Sequence, residues 1–235
     1  LNISKDFGQT HALKDVSVDI EQGEIIGLIG ENGSGKSTLS SIISGVYPAT
    51  KGTMELDGET YLPANPMDAQ KHGISMIAQE MGTLPGIRVA DNIFLGKEQL
   101  FVKKGVVNRK KMYEEAKHAM ENIGIENINP EDPITRYSLE ERKLVEVVRA
   151  LYSDPRIFIV DETTTALSQK GRNLIYQIIR KLKAENKTVL FISHDLEELM
   201  EICSKMIVLR DGVYIAELQK EEFQEDRIKE LMVGR

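Results

Sequence analysis

Gly30-Glu31-Asn32-Gly33-Ser34-Gly35-Lys36-Ser37 constrains the fold of this chain more than any other stretch of it. The octet follows a nearly continuous apolar run, Glu24-Ile25-Ile26-Gly27-Leu28-Ile29, which suits a strand buried in a parallel sheet. It opens a helix near Lys36 to Ser44, stopped by Gly45 and Pro48. In a strand, glycine-rich turn and helix in that order, backbone N–H groups turn inward around phosphate oxygens, and the helix dipole adds its positive end. Lys36 would reach the β and γ phosphates of a nucleotide, and the Ser37 hydroxyl would bind Mg2+. Gly30, Glu31, Asn32, Gly33, Ser34, Gly35 and Thr38 make up the remaining candidate contacts of the loop. A dinucleotide site fits less well, because Thr38 stands where the third small residue after Gly33-Ser34-Gly35 belongs.

A second apolar run, Ile157-Phe158-Ile159-Val160, ends in Asp161-Glu162. Carboxylates at the C-terminal end of a parallel strand point into the ligand crevice. There Asp161 would hold Mg2+, and Glu162 would act as general base on an attacking water. The bland alternative is that the pair only opens the next helix. A third run, Thr188-Val189-Leu190-Phe191-Ile192, leads to Ser193-His194-Asp195, where His194 could donate to a γ-phosphate. The other histidines, His11, His72 and His118, read as surface residues.

Around these runs, strands and helices alternate except from about 80 to 152, where helices dominate: near 89–95, 108–123 and 138–152. A last helix is expected at about 220–232. The fold expected is α/β: a parallel-sheet core, an antiparallel edge and a helical lobe inserted at about 80–152 of one domain spanning 1–235. The 235 residues carry a net charge of −7 with no dominant basic stripe, which argues against a nucleic-acid partner. No apolar run approaches the roughly 18 residues of a membrane span. Cys203 is the single cysteine, so no internal disulfide forms, as fits a reducing compartment. A chain that opens at Leu1 on a strand reads as part of something longer.

The phosphate loop, Gln79 after a strand, the helical lobe, Asp161-Glu162 and His194 occur in the order found in ABC (ATP-binding-cassette) ATPases, which the chain resembles over essentially its whole length. The resemblance implies ATP as substrate and Mg2+ as cofactor. It implies that Phe7, in Ser4-Lys5-Asp6-Phe7-Gly8, stacks on adenine. It makes Gln79 a Mg2+ ligand that touches the membrane subunit, and His194 the γ-phosphate switch. Residues 66–74 and 89–96 resemble segments of sugar-importer ATPases of the ribose, galactose and xylose type, which carry two cassettes on one chain. Glu230-Leu231-Met232-Val233-Gly234-Arg235 resembles the end of their first cassette. The partners implied are a second cassette, transmembrane permease subunits and, indirectly, an extracytoplasmic sugar-binding protein. The expected location is peripheral, on the cytoplasmic face of the membrane. Another cargo, or a non-transport ABC ATPase, is the rival reading.

One stretch departs from the pattern. The family signature, LSGGQ in one-letter code, opens a lobe helix and clasps the γ-phosphate of ATP held by the opposing cassette. Here it reads Tyr137-Ser138-Leu139-Glu140-Glu141. Ser138 and Glu141 fit a capping box, and acidic residues at a helix start suit its dipole but repel a phosphate. Thr163 replaces a usual proline, and Ser168 a common aspartate in the loop resembling the dimer contact.

Overall fold

In the computed structural model residues 1–234 are described. Arg235, the last residue of the stretch that resembles a cassette's end, lies outside the described residues. In chain order the first elements are β1 (Ile3–Phe7), β2 (Thr10–Val16), β3 (Ile25–Ile29), α1 (Lys36–Ile43), β4 (Met54–Leu56), β5 (Glu59–Tyr61), α2 (Pro66–Lys71) and β6 (Ile74–Ile77). Then come α3 (Val89–Ile93), β7 (Val102–Lys103), β8 (Val106–Val107), α4 (Arg109–Glu121) and α5 (Leu139–Leu151). The last are β9 (Ile157–Asp161), α6 (Gln169–Ala184), β10 (Thr188–Ile192), α7 (Leu196–Ile202), β11 (Lys205–Arg210), β12 (Val213–Gln219) and α8 (Glu225–Val233).

Six strands form one sheet in the order β12-β11-β3-β10-β9-β6. β11, β3, β10 and β9 run parallel, and β12 closes one edge antiparallel to β11. Every residue of β3 and of β10 is buried, which is why both read as unbroken apolar runs rather than alternating ones. The chain divides into two compact units. The first comprises Leu1–Met76, Pro155–Glu162 and the chain from Ile179 onward. In its core Ile26, Leu28, Ile159, Leu190 and Ile192 of the sheet pack with Leu39 and Ile42 of α1. Each such side chain contributes about 1.5–3 kcal/mol by leaving water, so the ends of β3, β9 and β10 are fixed by a large apolar mass behind them.

The second unit, Ile77–Asp154 with Thr163–Ile178, has its own core of α3, α4 and α5, including Val89, Ile93, Phe94, Met112, Ala116, Val145 and Val148. Its helices fall where the apolar periodicity put them. Between α3 and α4, however, there is a 3-10 turn at Glu98–Phe101 and the hairpin β7–β8, with strands of two residues each, too short to show a period. The last expected helix also divides. A 3-10 turn at Lys220–Glu222 ends at Phe223 in extended conformation, and α8 starts only at Glu225.

α5 carries a buried ionic network. The Lys143 ammonium donates to the carbonyls of Ala78 (3.1 Å) and Glu80 (2.9 Å) and lies 2.8 Å from Glu146 Oε2. Glu146 accepts from the Gly82 N–H, and Arg149 donates to the Gly82 carbonyl at 3.0 Å. The loop that carries Gln79 is thereby fastened to α5. Lys143→Ala leaves a buried carboxylate without its cation, a defect that costs about 3–5 kcal/mol. Urea unfolding should show that loss; a midpoint equal to that of the parent would contradict the network's role.

Candidate functional site

The glycine-rich turn owes its path to glycine at particular positions. Gly33 (φ 82) and Gly35 (φ 100) lie in the left-handed region. A Cβ on Gly30 would stand 2.1 Å from the Leu209 carbonyl oxygen and 2.4 Å from Ser34 Oγ. Lys36 is buried and donates from Nζ to the carbonyls of Gly30 (2.8 Å) and Glu31 (3.0 Å), so its charge bridges the mouth of the turn. Burial pushes the Lys36 pKa below the ordinary lysine value, while the carboxylates of Glu162 and Asp161 oppose that shift. α1 begins at Gly35 with no side-chain cap and no acidic residue in its first turn. The buried Ser34 hydroxyl has no hydrogen-bond partner among the described residues. An uncapped helix end, a caged cation and an orphaned hydroxyl in one turn fit a phosphate chain.

Asp161 ends β9 beside α1. Its Oδ1 accepts from Ser37 Oγ at 3.3 Å and its Oδ2 from Ser40 Oγ at 3.2 Å. Burial raises the Asp161 pKa; the two serine hydrogen bonds and Lys36 act in the opposite direction, and Glu162 reinforces the rise. A hydroxyl and a carboxylate oxygen so close are hard donors of the type Mg2+ prefers, so Ser37 and Asp161 fit that ion. Ser40 escaped the sequence reading. Its signal was the three-residue spacing from Ser37, which puts both hydroxyls on one helix face.

Glu162 follows with φ 44, a left-handed conformation that is uncommon outside glycine. Its N–H donates to the Ile192 carbonyl at 3.0 Å, which ties the ends of β9 and β10 together and holds the residue there. Backbone strain of this kind concentrates at functional sites. Across the gap, His194 Nδ1 lies 3.7 Å from Glu162 Oε2. The turn that carries His194 is locked from behind: Ser193 Oγ donates to the buried Glu198 Oε2 at 2.6 Å and accepts from the Asp195 N–H at 3.0 Å. Ser193 and Glu198, another pair the sequence reading passed over, therefore aim the turn. Within the first unit the structure thus brings together Lys36, Ser37, Asp161, Glu162 and His194, on the loop after β3 and the ends of β9 and β10. Glu31, Asn32 and Gly33 form the exposed lip of the loop, and Thr38 follows Ser37 in α1. Phe7 ends β1 and is exposed.

Gln79 belongs to the second unit, in the loop after β6. That unit also holds the altered signature, whose helix end differs from that of α1. Ser138 caps α5, and Glu141 accepts from the Ser138 N–H and hydroxyl, each at 2.8 Å. Glu140 turns instead to Ser168, whose hydroxyl donates to Oε1 at 2.6 Å. Two departures noted separately in the sequence therefore meet, for an aspartate in place of Ser168 would set two carboxylates against each other.

A nucleotide-phosphate loop on a parallel sheet with paired strand-end carboxylates defines a phosphate-loop nucleotide-binding protein. Residues 13–165 match the ABC transporter family, and the chain belongs to it. It is 38% identical over 234 residues to the ribose import ATP-binding protein RbsA 2 of Escherichia coli O157:H7, covering 100% of this chain and 46% of that protein. It is 39% identical to the ribose import ATP-binding protein RbsA of Shouchella clausii, covering 99% and 46%. The chain thus spans a little under half the length of these curated relatives. Among solved structures it is similar to the ADP conformation of an ATP-binding cassette of an ABC transporter, with TM-score 0.82, 28% identity and coverage of 100% and 97%. It is also similar to a dimeric post-hydrolysis cassette bound to ADP and Pi, with TM-score 0.80, 26% identity and coverage of 94% and 98%.

Because the folded state raises the Asp161 pKa, it binds this proton more readily than the unfolded chain does, and stability falls as pH rises through the interval between the two values. Asp161→Asn should therefore raise the thermal midpoint of the nucleotide-free protein at pH 7. The gain should vanish below the ordinary carboxylate range, where both states are protonated. A lowered midpoint at pH 7 would contradict the assignment of burial as the dominant cause.

Proposed function

We propose that this chain binds and hydrolyses ATP as the first cassette of a tandem ATPase that drives sugar uptake, of the ribose-import type. The observation that carries the reading is the single-unit grouping of the Lys36 cage, the Ser37–Asp161 pair and the Glu162–His194 pair. The names and double length of the relatives support the cargo class and the tandem arrangement. The likeness to a dimeric cassette supports a second cassette as partner. Permease subunits and an extracytoplasmic sugar-binding protein complete the proposed assembly. Among the described residues no helix is long and apolar enough to cross a membrane, so attachment at the cytoplasmic face would run through the permease.

The loop N–H groups and the α1 terminus hold the triphosphate, and Lys36 follows the β and γ phosphates. Ser37 and Asp161 would hold Mg2+, with Gln79 added by family resemblance. The ion supplies neutralisation of the charge that spreads over phosphoryl oxygens. Glu162 takes a proton from the water as its oxygen bonds to the γ-phosphorus, and the bond to the β–γ bridging oxygen breaks as ADP leaves. His194 orients the γ-phosphate, and the strained Glu162 backbone keeps the carboxylate facing that water.

The self-capped start of α5 makes the two composite sites of a tandem unequal. Its start is already capped, Ser138 Oγ accepting from the Glu141 N–H and the Glu141 carboxylate from the Ser138 N–H. An approaching phosphate meets that carboxylate, a repulsion of roughly 3 kcal/mol at about 5 Å and an effective dielectric near 20. The productive site would combine this chain's loop, Glu162 and His194 with the other cassette's signature. In the intact protein, Glu162→Gln should keep ATP binding and cut turnover by about 10²–10⁴-fold. The matching change in the second cassette should cost little. Parental turnover in Glu162→Gln would remove the general base from the account, and equal losses from both changes would remove the asymmetry.

A further inference from the structure

Lys5, Phe7 and Tyr47 form a cluster that the phosphate chemistry does not use. Phe7 and Tyr47 are each 43% exposed, yet their rings meet edge-on, with centroids 5.3 Å apart and planes at 81°. Lys5 is only 9% exposed. Its ammonium lies 5.0 Å from the Phe7 centroid and 5.6 Å from that of Tyr47, and donates to the Pro48 carbonyl at 2.7 Å. Lys5 and Phe7 are two apart on β1, so both side chains leave the same side of the strand. The turn after α1 is sewn to β1 by Ser4 N–H to the Lys51 carbonyl (3.0 Å), Thr50 N–H to the Ser4 carbonyl (2.8 Å) and Asp6 N–H to Thr50 Oγ1 (3.0 Å). Two aromatic rings are thus held open at the surface while the flexible cation beside them is the buried member, the reverse of the usual preference.

From this geometry we infer that Lys5 and Tyr47 are positioning residues for the nucleotide base: they fix the Phe7 ring and leave one of its faces free for a purine. The inference rests on the proposed ATP-binding function and on the base-stacking role that the family resemblance implies for Phe7. Tyr47 braces the ring edge-on, the arrangement its quadrupole favours. The Lys5 ammonium occupies one face and draws π-density toward itself, so the opposite face is the one open to a flat, electron-rich ring. Ordering these groups before the ligand arrives removes an entropic cost from binding, which makes the base end of the site rigid rather than adaptive.

Calorimetric binding of ATP and of inorganic tripolyphosphate to the intact protein tests this, because tripolyphosphate engages the loop and lacks the base. Tyr47→Ala and Lys5→Met should each weaken ATP binding by about tenfold, within the range that base–aromatic stacking supplies. Tripolyphosphate should bind as it does to the parent, and Tyr47→Phe, which keeps the ring, should recover ATP affinity. Equal weakening of both ligands, or no change in ATP binding, overturns the inference. Phe7→Ala separates the two levels. If it too leaves ATP binding unchanged, the base-stacking role of Phe7 falls along with the inference. If it weakens ATP binding while Tyr47→Ala and Lys5→Met do not, only the positioning role falls.

Discussion

The Lys36 ammonium, held 2.8 Å from the Gly30 carbonyl and 3.0 Å from the Glu31 carbonyl, lies where backbone groups of the turn converge and at the start of a helix with no cap of its own. Two unfavourable features coincide there: a buried cation and unsatisfied helix N–H groups. Each is what a bound phosphate chain would relieve. The remaining architecture serves this point. β3 delivers the loop, the α1 residues Leu39 and Ile42 anchor the helix in the core, and the all-parallel centre of the sheet brings the ends of β9 and β10 to the same side.

α1 and α5 show how a few side chains decide what a helix end can do. Both starts carry the positive end of a dipole. Gly35 offers α1 no side chain, so its first-turn N–H groups stay available for an anion. α5 begins with Ser138 and Glu141, which satisfy each other's backbone, and Glu140 is drawn aside by Ser168. The same physics makes one terminus receptive and the other closed, and the proposed inequality of the two composite sites rests on that difference.

Much of this was legible in the sequence because the decisive elements are strongly patterned. β3, β9 and β10 are continuous apolar runs since both faces of the sheet are covered, and the glycines of the loop have no substitute at φ 82 and 100. What the sequence did not disclose depends on contacts between distant positions. The Ser40–Asp161 bond shows locally only as the spacing of Ser40 from Ser37, and the Glu140–Ser168 bond has no local signature at all. The exposure of Phe7 likewise has no local signature: β1 is tied to the 47–51 turn by contacts between distant positions, and the ring at its end is left open. The hairpin β7–β8 was hidden by its brevity, and the left-handed Glu162 by the fact that tertiary hydrogen bonding, not residue type, imposes that conformation.

In the proposed function, Lys36 supplies the charge on which triphosphate binding depends. The most direct measurement is a calorimetric titration of Mg-ATP into the parent protein and into Lys36→Ala. Charge-assisted hydrogen bonds contribute about 1.5–3 kcal/mol each, so losing the contacts to two phosphates should weaken binding by a hundredfold or more, on the order of abolition. Equal affinity in the two proteins would contradict the account at its base.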